Sequence, residues 1–213
     1  MPFLRPVFWI LSAAVVLLLA APSAARAGYD DPQFALGYRL GGTFPMGSSS
    51  AGISPRSGLS AGINGLYRLD WWFRVGGEVE WEYYGLNQSI IAPASKMGSV
   101  HTVTLMPIAE FRYHERDLWI SPYVRAGTGV NLNFLNEASA FPASGSLSHT
   151  LALKAALGFD TYFGKGWLIR VESGWKMNRS ELTLTPPATA GNPLDFDASR
   201  FYVSLGFGFR IGR

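Results

Sequence analysis

Between Phe34 and Ile211 large apolar side chains recur on every second residue, in eight separate stretches. A period of two belongs to a β-strand with two different faces, because successive side chains leave a strand on opposite sides. The last stretch shows it most cleanly: Phe201, Val203, Leu205, Phe207, Phe209 and Ile211 alternate with Tyr202, Ser204, Gly206, Gly208 and Arg210. Three earlier stretches set Phe34, Leu36, Tyr38 and Leu40 against Arg39; Leu59, Ile63 and Tyr67 against Asn64 and Arg68; and Phe73, Val75, Val79, Trp81 and Tyr83 against Arg74, Glu78, Glu80 and Glu82. Two more oppose Val103, Leu105, Phe111 and Tyr113 to Thr104, Glu110 and Arg112, and Val124, Val130, Leu132 and Phe134 to Tyr123, Arg125 and Asn131. The remaining two place Leu151, Leu153, Leu157, Phe159 and Phe163 opposite Lys154, Asp160 and Tyr162, and Trp167, Ile169, Val171 and Trp175 opposite Arg170, Glu172 and Lys176.

In every stretch the charges fall on the face away from the large apolar residues. Periodicity alone leaves two readings open. The apolar faces pack together in a soluble core, or they face lipid around a polar lumen. The connections separate the two. Residues 70–72, 114–117 and 164–166 are tight turns of charged, aromatic or glycine residues, whereas residues 45–56, 86–99, 135–148 and 178–199 are long and rich in Gly, Ser, Pro and Ala. Short turns on one side and long loops on the other match an up-and-down transmembrane barrel with both termini in the periplasm. Tyr67, Trp71, Trp72, Tyr113, Trp119, Phe163 and Trp167 all gather at the short-turn ends, where an interfacial aromatic girdle would sit. Pro107 falls in mid-strand and removes a ladder hydrogen bond, which predicts a bulge.

Composition agrees with this reading. Charged residues make up 15% of the chain against roughly 25% in soluble domains, and aromatics 14%. Residues 1–27 explain part of it: Arg5, an apolar run over residues 7–20 and Ala25-Arg26-Ala27 form an expected secretory signal peptide cleaved after Ala27, leaving residues 28–213 as one barrel domain. The apolar run falls short of the roughly 20 residues that span a bilayer. Without Arg5 and Arg26 the chain is nearly neutral, so the basic stripe that nucleic acid requires is missing. There is no cysteine for a disulfide framework or a lipid anchor.

The fourth and fifth stretches, TVTLMPIAEFRYH and ISPYVRAGTGVNLNF, resemble paired strands of the small outer-membrane β-barrel proteins of the OmpA-like and OmpW-like superfamily. The closing strand resembles the C-terminal signal for barrel insertion, with Phe201, Leu205, Phe207 and Phe209 in place. It departs in finishing Ile211-Gly212-Arg213, where the family usually ends on an aromatic. The resemblance implies an all-β, eight-stranded antiparallel barrel in the outer membrane of a Gram-negative-type bacterium. It implies outer-membrane lipid and the barrel-assembly machinery as partners and a monomer, and the eight stretches are expected to leave no residues for the peptidoglycan-binding domain attached to larger OmpA-like proteins.

An eight-stranded barrel has a lumen just wide enough for side chains to fill. Its inward set holds Arg39, Arg68, Arg112, Arg125, Lys154, Arg170, Lys176 and Arg210 against Glu78, Glu80, Glu82, Glu110, Asp160 and Glu172. Mixed signs in so tight a space predict an interlocked plug, because an unpaired buried charge is costly. The alternative is a narrow conduit, porin-like or OmpW-like, for small and hydrophobic molecules. Glu78, Glu80 and Glu82 lie at i, i+2 and i+4 on one face, a spacing that suits either a cation or the lumen arginines, and the arginines are the expected partners. An enzymatic reading finds little support. Ser148 and His149 are adjacent, so their side chains point apart, His101 and His114 stand alone, and no zinc-ligand spacing occurs. Neither cofactor nor metal is expected. The long loops show no ligand motif and leave their partner open. The function expected is that of a non-enzymatic structural or surface-interaction protein.

Overall fold

The computed structural model describes residues 34–46, 52–88, 95–113, 120–138, 144–163, 166–185 and 193–211. The proposed signal peptide, His114, Trp119 and the last two residues lie outside them. Among the described residues ten strands run in order: β1 Phe34–Pro45, β2 Ile53–Arg68, β3 Phe73–Gln88, β4 Ser95–Arg112, β5 Ile120–Glu137, β6 Ser144–Leu147, β7 Thr150–Phe163, β8 Trp167–Thr185, β9 Leu194–Asp197 and β10 Arg200–Ile211.

Eight of them close a ring, β1-β2-β3-β4-β5-β7-β8-β10, each antiparallel to the next. β10 returns to β1 over its full length, from Phe34↔Ile211 to Pro45↔Arg200. Closure leaves neither strand with a free edge, the condition for spanning a bilayer with strands. The alternation in the sequence becomes an inside and an outside. Leu40, Leu59, Leu157 and Leu205 stand more than half exposed on the outer wall, while Arg39, Arg125, Glu110 and Glu172 are buried within. Phe34 and Phe44 are ten residues apart on β1, and at ~3.3 Å per residue and ~40° of tilt they span about 25 Å, the height of an outer-membrane apolar band.

Aromatic side chains mark both edges of that band. At the short-turn end Trp71, Trp72, Tyr113 and Trp167 are exposed and Tyr67 is half-buried. Trp72 packs on Phe73 and Phe111, Trp167 meets Phe209 edge-on, and the Asp70 carboxylate accepts from both the Trp71 backbone and the Trp72 indole. The backbone of Phe163 pairs with Trp167 at the same end. The opposite edge carries a second band that the sequence reading left out: Phe44, Trp81, Tyr83, Trp175 and Phe201, with His101 lodged against the rings of Trp81 and Tyr83.

Beyond this second band the sequence predicted long loops, and much of their length is instead strand. β3, β4, β5 and β8 continue outward, and β6 and β9 flank the extension of β8. β9 keeps the register of β10 against β8, with a break at Ala198 and Ser199, whereas β6 is offset by one residue from β7. The reason is apolar. Ile53, Leu86, Met97, Val100, Leu182, Leu184 and Phe196 are buried together inside this crown. Each such side chain withdrawn from water contributes roughly 1.5–3 kcal/mol, enough to order segments whose surface composition reads as loop.

Pro107 does not produce the expected bulge. It sits on the outer face opposite Gly77 of β3, and the β4–β5 register is the same before and after it, at Leu105↔Val130 and Ile108↔Gly127. The missing N–H costs pairing locally without displacing the strand. Gly129 lies so close to the Leu105 carbonyl that any Cβ there would overlap it, which holds the two strands in line. Register shifts occur instead in the crown, between Pro55 and Gly58 and between Leu86 and Asn87.

Candidate functional site: the barrel lumen

The inward faces of the eight ring strands stack into layers. Nearest the short turns, Arg112 reaches Glu110 at 2.6 Å and Asp160 at 2.5 Å, and Arg170 grips Asp160 with Nε and Nη2 at 2.7 and 2.8 Å. Arg112 also donates to the Tyr162 hydroxyl, and the Arg210 guanidinium lies 4.1 Å from the centre of the Tyr162 ring. The two-pronged grip on Asp160 is the geometry in which a guanidinium and a carboxylate bind most strongly.

The middle layer centres on Glu172. Arg39, Arg125 and Lys154 surround its carboxylate, the latter two at 2.9 and 3.1 Å, and the hydroxyls of Tyr202 and Tyr123 donate to it at 2.7 and 3.0 Å. Glu78 faces the same cations, Arg39 at 2.7 Å, Lys154 at 2.8 Å and Arg125 at 3.4 Å. Arg125 ties this layer to the lower one through Glu110 at 2.6 Å. The Tyr123 ring lies among the guanidiniums of Arg112, Arg125 and Arg170, 4.8 to 5.5 Å from its centre. Gly158, its register partner on β7, provides the room, because a Cβ there would strike the Tyr123 hydroxyl.

Above, Glu80 meets Arg39 at 2.8 Å and Lys176 at 3.5 Å, and Glu82 meets Lys176 at 2.9 Å. The three carboxylates of β3 are thus all opposed by side-chain cations. Next comes an amide band: Asn133 and Asn178 exchange hydrogen bonds at 3.2 and 2.9 Å, Thr102 donates to Asn133, and Thr104 donates to Asn131. Arg200 then spans the lumen, stacked 3.5 Å over the Tyr84 ring and donating to the Arg56 carbonyl at 2.9 Å. The apolar cluster of the crown closes the outer end. From short turns to crown, the sequence is ionic plug, amide band and hydrophobic cap.

The residues expected to form the network do not all sit in it alike. Arg39, Glu78, Glu80, Glu82, Glu110, Arg112, Arg125, Lys154, Asp160, Arg170, Glu172 and Lys176 are buried and interlocked. Arg68 and Arg210 are half-buried near the short-turn rim, Arg68 opposite Arg74 in register. Buried Arg74 and Arg200 and the hydroxyls of Tyr123 and Tyr202 were left out, although each shares the period-2 phase of the inward residues on its strand. Phe201, Leu205, Phe207 and Phe209 line the outer wall. Ser148 and His149 turn to different strands: the Ser148 hydroxyl accepts from the Glu181 backbone at 2.8 Å, and His149 Nδ1 accepts from the Asn133 backbone at 3.2 Å.

No family model and no curated protein matches this sequence. Solved structures do match in shape. The outer membrane protein OprG from Pseudomonas aeruginosa superposes with a TM-score of 0.73 at 15% identity, over 87% of this chain and 99% of that one. Neisserial surface protein A gives 0.57 at 12% identity, over 86% and 100%. The outer membrane protein AlkL, determined in DMPC lipid bilayers, gives 0.55 at 15% identity, over 90% and 97%. The fold is that of the small outer-membrane β-barrels.

Proposed function

We propose that this chain is an integral protein of the Gram-negative outer membrane, exported by a leader cleaved after Ala27, whose barrel is a plugged, non-enzymatic scaffold carrying its crown at the cell surface. One observation carries the reading: the layer in which Arg39, Arg125 and Lys154 surround Glu78 and Glu172 draws on β1, β3, β5, β7 and β8, so it crosses the lumen from wall to wall. Opening a path there would strip partners from several buried charges at once, each costing several kcal/mol, roughly 3–5 for a broken buried pair. Outer-membrane lipid solvates the apolar belt, the assembly machinery reads the closing strand, and the barrel works as a monomer.

A second reading rests on the hydrophobic cap. Apolar side chains inside the outer end favour a conduit that admits small hydrophobic molecules from outside and stops above the ion pairs. Solute flux distinguishes the two. Proteoliposomes should swell in iso-osmotic arabinose no faster than empty vesicles. Swelling that rises as the sugar gets smaller would overturn the plugged scaffold. Accelerated uptake of alkanes or fatty esters without sugar flux would favour the conduit.

A further inference from the structure

The buried cations of the lumen are not all compensated. Among the described residues Arg39, Arg112, Arg125, Lys154, Arg170 and Lys176 each meet a buried carboxylate, and Arg200 meets none. Arg200 is 1% exposed, with its guanidinium over the face of the Tyr84 ring. Its Nη1 donates to the Arg56 carbonyl at 2.9 Å and to the Thr43 hydroxyl at 3.4 Å, while Nε and Nη2 are buried with no hydrogen-bond partner. Glu82 shares the inward face of β3 with Tyr84, but Lys176 holds it at 2.9 Å. A guanidinium kept from water without a counter-charge is costly, and an opposite charge brought to it recovers the loss.

The two unpartnered nitrogens share one edge of the guanidinium, and that edge is shaped for a carboxylate. Arg170 shows the fit inside this same barrel, where its Nε and Nη2 hold the two oxygens of Asp160 at 2.7 and 2.8 Å. A second observation gives the rest of the ligand. Tyr84, on which Arg200 stacks, belongs to the buried apolar cluster of the crown, together with Ile53, Leu86, Met97, Leu182 and Phe196. An open carboxylate fork therefore borders an apolar core. β6 and β9 are four residues long and are held along the flank of β8, so they are the parts of the crown that open most readily for a small molecule.

We propose that Arg200 anchors a binding site for an amphipathic monocarboxylate, with the carboxylate on Nε and Nη2 and the apolar tail among the crown side chains. The inference rests on the second reading above, in which the crown admits small hydrophobic molecules, and adds the charge that selects among them. It needs no path through the ion pairs, because the ligand stops at Arg200. A neutral chain of the same length parts the same crown and leaves the guanidinium uncompensated, so the site prefers the acid anion.

Calorimetric titration of the full chain in phosphatidylcholine nanodiscs, with empty nanodiscs as the blank, should give saturable binding of octanoate at neutral pH. Octanol has the same tail without the charge and should bind about tenfold more weakly, the scale of one hydrogen bond to a charged group. Acetate has the charge without the tail and should also bind about tenfold more weakly. Arg200→Gln should lower octanoate affinity to that of octanol and leave octanol unchanged. Arg200→Lys, which keeps the charge but not the two-nitrogen edge, should fall between. Unchanged heat-modifiable mobility on a gel identifies variants that still fold, and the comparison of ligands on the native chain stands without them. Equal binding of octanoate and octanol to the native chain would overturn the carboxylate site and leave the hydrophobic entrance standing. Binding of neither would overturn the site and the entrance together. Equal binding of acetate and octanoate, or undiminished octanoate binding to the folded Arg200→Gln variant, would overturn the proposal as well.

Discussion

Glu172 meets three cations and two tyrosine hydroxyls at a fully buried position, so its charge is the residue-scale key to the lumen. Glu172→Gln keeps the shape and removes the charge, leaving Arg39, Arg125 and Lys154 with Glu78 as their one remaining shared carboxylate. Urea unfolding in lipid vesicles, followed by tryptophan fluorescence, should show a loss of about 3–5 kcal/mol. A loss under about 1 kcal/mol, the scale of an exposed pair, would mean the layer is wet and loosely held. Tyr123→Phe removes one donor from the same carboxylate and should cost about 1–2 kcal/mol. That these residues share one face was readable from alternation, and the unequal connections turned that face inward. Which carboxylate would become the hub was not, because that depends on barrel stagger bringing β1, β3, β5, β7 and β8 to one height.

At the scale of elements, the two aromatic bands and the crown make separate predictions. Single-tryptophan variants retaining Trp72 or Trp167 at one edge, or Trp81 or Trp175 at the other, should be quenched most by lipids brominated near the headgroup. Strongest quenching by bromines deep in the chains would place the band edges wrongly. The lower band was legible because its tryptophans sit beside short turns. The upper band was hidden, since Phe44, Trp175 and Phe201 lie within strands that run on past it or end among small residues. The crown was hidden for a related reason: Ile53, Leu86, Met97, Leu182 and Phe196 are scattered among serine, glycine and proline, and they become a core only when β8 extends between β6 and β9. Leu182→Asp, placing a charge in that core, should abolish amide-exchange protection in β6, β9 and the outer part of β8 while β1 and β10 stay protected. Loss of protection throughout would show that crown and barrel are one cooperative unit.

For the whole molecule, solvent decides what holds each part together. The outer belt is apolar toward lipid, the lumen is held by ion pairs and amides, and the crown is a water-excluding core of ordinary kind. Closure of β10 on β1 joins the three. Eight strands fixed the lumen as narrow from the sequence onward, and the structure adds that side chains of both signs occupy it layer upon layer from the short-turn end up to the amide band. The most direct test is single-channel recording in planar bilayers, comparing the native chain with Glu78→Gln, Glu172→Gln and Arg125→Gln variants that still insert. The plugged account predicts no resolved steps for the native protein and steps or noise only where the middle layer has been weakened. Reproducible steps from the native protein that are lost when those same charges are removed would contradict it.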